Sequence, residues 1–119
     1  MKKLLPTLPI LLISISAFGQ VITKNYTQAE AYSYNKILDD YSLIGSNYER
    51  NKVEIIGSNV SITSQNGKKK TIECEWKYVE GIKCLVEGDN ESIFVIQDDF
   101  FAWFFIYDGT VHQSMIIFR

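Results

Sequence analysis

Histidine, cysteine and positive charge are all scarce in this sequence, and these scarcities exclude whole classes of function. The 119 residues hold one histidine, two cysteines and two prolines. A zinc site needs about four ligands, and His112, Cys74 and Cys84 do not reach that number. Beyond Lys2 and Lys3, ten basic residues stand against fourteen acidic ones, a net charge of −4. The one positive cluster is Lys68-Lys69-Lys70. A nucleic-acid binder needs a broad basic face to displace counterions, so that role is excluded. The sequence has no glycine-rich phosphate loop, nucleophile elbow or metal-ligand cluster. No cofactor is implied, and the reading is non-catalytic. Long apolar runs are missing too. After residue 19 nothing approaches the ~20 apolar residues of a spanning helix.

What is present at the start is the pattern of a secretory signal peptide. Met1-Lys2-Lys3 is a short positive segment. Leu4 to Ile15 is apolar apart from Pro6, Thr7, Pro9 and Ser14. Ala17 and Gly19 are small residues at the −3 and −1 places of a cleavage site. Cleavage before Gln20 is expected, leaving residues 20–119 exported as one β-rich domain to a periplasm or the cell exterior. The short two-lysine leader has a bacterial look. No cysteine sits near the cut, which excludes a lipid anchor there. Two cysteines in an exported chain suggest one disulfide, Cys74 to Cys84.

Two kinds of periodicity follow. Thr27-Gln28-Ala29-Glu30 matches a capping box, and Ala31, Tyr34, Ile37, Leu38 and Tyr41 recur at helical spacing. They predict a helix over about 28–41. From Lys52 the pattern alternates with period two. Strands are expected over 52–57, 59–65, 69–78, 82–87, 91–97, 100–107 and 110–118. The number is seven if Gly57-Ser58-Asn59 is a turn, and six if it is a bulge that merges the first two. Asn66-Gly67 and Asp108-Gly109 are hairpin signals, with looser turns at Glu80-Gly81 and Gly88-Asp89-Asn90. Connections this short force antiparallel neighbours. The expected class is α+β and mostly β: one N-terminal helix packed on an antiparallel meander, either a curved sheet or a small barrel.

The strand faces carry the functional reading. Ile72, Cys74, Trp76 and Tyr78 alternate with polar residues, and Ile82, Cys84 and Val86 form the drier set of the next strand. The last hairpin differs, because both its faces are apolar. One carries Ala102, Phe104, Ile106, Met115 and Ile117. The other carries Phe101, Trp103, Phe105, Tyr107, His112, Ser114 and Ile116. Neither can face water without leaving a large exposed patch, so each needs a cover. The helix is the expected cover for one of them.

Phe101, Trp103, Phe105, Tyr107, His112 and Ser114 are the candidate ligand-binding residues, since aromatic rings with a few polar groups suit an apolar ligand or a protein partner. His112 is the one near-neutral acid or base, and a lone strand histidine is more often packed than catalytic. Asp98-Asp99 reads as a solvated turn.

A meander with a terminal helix is similar in outline to lipocalin-like domains over residues 27–118. The Gly-x-Trp signature of that family is replaced by Gly45-Ser46-Asn47. Small exported lysozyme inhibitors and immunity proteins share the size, the single disulfide and the helix-plus-sheet plan. The two functions implied are a carrier of a small apolar ligand and an inhibitor or immunity-type protein acting through a protein interface.

Overall fold

The computed structural model describes residues 21–119, so the expected signal peptide and its cleavage point lie outside the described residues. Nine strands follow in chain order: β1 (Val21–Asn35), β2 (Asp40–Ile56), β3 (Asn59–Thr63), β4 (Lys69–Glu73), β5 (Glu75–Val79), β6 (Ile82–Glu87), β7 (Ser92–Ile96), β8 (Phe101–Tyr107) and β9 (His112–Phe118). All pair antiparallel in one sheet, in the order β4-β3-β2-β1-β9-β8-β7-β6-β5. The antiparallel expectation is met. The α+β class is not, because no helix occurs among the described residues.

The segment expected as the 28–41 helix forms most of β1 and the turn into β2. Tyr34 and Tyr41 do share a face, but as a cross-strand pair. A spacing of seven is two helical turns, and it is also the spacing of partners flanking a hairpin loop. Here Asn35 pairs with Asp40 around the four residues 36–39. The Asn35 side chain accepts from the backbone N–H groups of Ile37 and Leu38, at 3.0 and 3.2 Å, an Asx turn. Asp39 has φ of 53°, which a right-handed helix forbids. Thr27 is a bulge residue rather than a helix cap. The N–H groups of Thr27 and Gln28 both donate to the Arg119 carbonyl. A 14-residue helix is marginal by itself, whereas β1 gains a hydrogen-bonded neighbour on each side.

The order of strands forces the sheet to roll. The single strand expected over 69–78 is two: β4 and β5 are joined by Cys74 alone, yet they lie at opposite ends of the order, because β4 pairs with β3 and β5 with β6. In a flat sheet of nine strands the outer two would stand about 38 Å apart, and one residue spans about 7 Å. Two contacts record the closure. The Trp76 indole N–H donates to the Gly57 carbonyl at 3.1 Å, and Lys70 Nζ sits 5.9 Å from the Trp103 ring. The inner face becomes the core. Tyr26, Val53, Ile55, Val60, Ile62, Ile72, Leu85, Phe94, Phe101 and Phe118 are buried there, from every strand except β5. Phe94 stacks on Phe101 and on Trp103, with ring centroids 5.5 and 5.6 Å apart.

The expected disulfide is absent: Cys74 and Cys84 are both free. Strand register gives the reason. Val79 pairs with Ile82 across Glu80-Gly81, both at positive φ, so Lys77 lies opposite Cys84. Cys84 then shares its face with Lys77, and alternation puts Cys74 on the other. Cys74 packs against the core, while Cys84 is buried on the outer side.

Candidate functional site

The outer face of the β6–β9 half is also apolar, as both-sided patterning in β8 and β9 requires. Among the described residues no layer is laid over it. A groove of about 510 Å³ opens there. Val79, Ile82 and Cys84 form one wall, Ile93, Val95 and Phe104 the floor, and Tyr41, Thr110, Val111, His112 and Glu80 the rest. Ile82 is exposed and Phe104 half-buried.

Tyr41 reaches this face because β2 begins beside the end of β1, in the part of that hairpin carried by β9. Its ring meets Phe104 edge-on at 5.7 Å, and its hydroxyl donates to the His112 carbonyl at 2.8 Å. Burial, and then Asp40, push the Tyr41 phenol above its ordinary pKa. Burial likewise raises the Cys84 thiol, which lies 3.2 Å from the Ile82 carbonyl. Glu80 is the one carboxylate in a lining that is otherwise apolar, hydroxyl, thiol or imidazole.

His112 is buried, and its Nε2 lies 2.6 Å from the Asn90 carbonyl, so that nitrogen carries the proton and donates. The ring lies beside Tyr107, at 4.7 Å, and near Phe104, at 6.1 Å. A histidine tied to a backbone carbonyl between aromatic rings is placed to hold the Gly88–Asn90 turn against β9. Among the described residues no three His, Cys, Asp or Glu side chains converge as metal ligands.

The six residues singled out in the sequence fall in different places. Phe101 is buried in the core. Trp103 packs against the core and donates its indole N–H to Ser92 Oγ at 3.2 Å. Phe105 lies on Trp103 at 4.7 Å. Ser114 faces Phe105 on one side and Ser33 on the other. Tyr107 closes the terminal hairpin by donating to the Gly109 carbonyl. His112 alone lines the groove. The hairpin loop has four residues, 108–111, instead of two. Asp108 Oδ1 accepts from the N–H groups of Thr110 and Val111, each at 2.8 Å. These backbone bonds hold the Asp108 carboxyl below its usual pKa. The register moves by two residues, so Phe101, Trp103, Phe105, Ser114 and Ile116 keep a common face. His112, beyond the break at Ile106, lies with Phe104 on the outer face instead of the one read from the sequence.

The residues that sequence reasoning missed are Tyr41, Val79, Ile82, Ile93, Val95 and Phe104. Their signal was the second apolar face of the last hairpin, assigned to a helix that is not there. No protein-family model, curated protein or solved structure matches this chain.

Proposed function

We propose that this chain is a non-catalytic, exported binding domain that holds a small apolar ligand in the outer groove. One observation carries the reading: the groove collects apolar side chains from β5 to β8 together with Tyr41, and its floor is open. Its volume of about 510 Å³ falls within the ~300–1,000 Å³ of small-molecule pockets. The leader pattern of residues 1–19 supports export. Ile82 is exposed, so Ile82→Asp places a charge in the wall without unpacking the core. Anilinonaphthalene sulfonate should bind the native protein saturably, and Ile82→Asp should abolish its fluorescence gain. Failure of the native protein to bind the probe, or binding that ignores Ile82→Asp, refutes the reading.

The inhibitor or immunity-type alternative is supported by a separate feature. At the tip of the β1–β2 hairpin Ile37 is 94% exposed and Leu38 66% exposed. Asn35 holds both in place through their backbone N–H groups. An exposed apolar pair on a preorganised loop suits insertion into a protein cleft. This function would be sensitive to Ile37→Asp and indifferent to Ile82→Asp.

A further inference from the structure

The longest free edge of the sheet is not at either end of the strand order. β1 runs beside β2 along its whole length, but β3 pairs with β2 only over Lys52–Ile56. On that side Asp40–Asn51 have no strand beside them among the described residues. The Arg50 N–H donates to Gln65 Oε1 at 3.1 Å. Two further backbone groups of the stretch meet nearby side chains: the Tyr41 N–H donates to Asp40 Oδ1 at 2.7 Å, and the Glu49 carbonyl accepts from Asn51 Nδ2 at 3.3 Å. An edge strand leaves its outward N–H and C=O groups unpaired, and proteins blunt such edges with short length, lysine or proline. The end strands follow that rule. β4 has five residues with Lys69 and Lys70, and β5 has five with Glu75 and Lys77. The free stretch of β2 does not. Tyr41 to Tyr48 contains no charge and no proline. Leu43, Ile44 and Tyr48 are exposed there, Tyr48 at 90%. The ladder with β1 is irregular at two places along it, at Ile44 between the pairs Ala31 with Gly45 and Tyr32 with Leu43, and at Glu49-Arg50 opposite Thr27.

We propose that this edge pairs with the same edge of a second copy of the chain, antiparallel and about a two-fold axis near Gly45. The charges at its ends are self-complementary in that arrangement. Asp39 and Asp40 stand at one end, and Arg50 and Lys52 at the other. Glu49 is the single charge of contrary sign. A two-fold near Gly45 brings Asp40 of each copy to Arg50 of the other, twice per dimer. It meets no side chain at its centre, since Gly45 has none and has open space where a Cβ would lie. Leu43 and Ile44 then lose water against the facing strand. The pairing joins two sheets into one and leaves the outer groove and the Ile37-Leu38 tip free, so it stands independently of the proposed ligand.

Sedimentation equilibrium of the full chain should give a dimer that dissociates on dilution. Ile44→Lys places the missing edge charge on an exposed side chain and should leave a monomer with an unchanged strand signal in circular dichroism. Asp40→Arg and Arg50→Asp should each weaken dimerisation about tenfold, and the double exchange should restore it. Amide exchange in the native dimer should be slow over 42–48 and fast in Ile44→Lys. A chain that stays monomeric up to its solubility limit overturns the proposal. So does a dimer untouched by Ile44→Lys and by both charge reversals, which would use another surface.

Discussion

At the residue scale, the inner and outer aromatic faces of β8 look alike in sequence and differ in what each ring touches. Phe94 is completely buried and stacks on both Phe101 and Trp103. Phe94→Ala should therefore cost about 3–5 kcal/mol, the transfer and cavity terms together. Phe104 is half-buried and its free side faces the groove. Phe104→Ala should cost only about 1 kcal/mol, because part of its surface is wet already. Chemical denaturation of the two variants checks the pair, and equal losses would mean that the groove is closed in solution. Cys74 packs against the same core. Burial first, and then the nearby Glu87, push its thiol up to about 11, so it stays protonated at neutral pH.

At the element scale, the β8–β9 hairpin holds the one β-branched residue at positive φ among the described residues, Ile106 at 60°. Phe105 pairs with Ser114 and Tyr107 with His112, and the ladder between them is interrupted at Ile106. A branched side chain in the left-handed region is strained. Ile106 is also 60% exposed, so little packing repays that strain. Ile106→Asn should raise stability by about 1 kcal/mol, seen as a higher melting temperature, since asparagine tolerates this conformation. A lower melting temperature would show that Ile106 packs against something in solution.

At the scale of the whole molecule, the roll of the sheet depends on the seam between β1 and β9, which joins the two ends of the described chain. Ala29–Ser33 pair with Ser114–Phe118. The seam is finished by Arg119 Nε donating to Glu30 Oε1 at 2.9 Å, with the Tyr32 hydroxyl donating to the same oxygen at 3.1 Å. The Arg119 hydrogen bond is the main cause that lowers the Glu30 pKa from 4.5. A carboxyl depressed on folding contributes stability that is present above its unfolded pKa and is lost as pH falls through its folded one. The melting temperature should thus fall below about pH 4.5. Glu30→Gln should lower it at neutral pH and flatten that acid limb. A variant that keeps the native acid limb would place the titration elsewhere.

Local pattern was enough for the antiparallel pairing after Lys52, most of the turns and the two-sided apolar character of the last hairpin, but not for the division of 69–78 at Cys74 or for the start of β2 at Asp40. The legible features are local properties: side chains alternate with a period of two, and Asn-Gly or Asp-Gly bends the chain wherever it occurs. Tertiary structure alone decided the state of residues 28–41. Tyr34, Ile37, Leu38 and Tyr41 fit a helical stripe and a hairpin with its loop equally well, and the β9 strand, 81 or more residues beyond its β1 partners, supplies the hydrogen bonds that select the strand. It also decided the parity that separates Cys74 from Cys84, because one residue of register moves a side chain through the sheet. The position of the groove followed in turn. Two apolar faces were legible in Phe101 to Phe118, but only the rolling of the sheet determined that Trp103 turns inward and Phe104 outward.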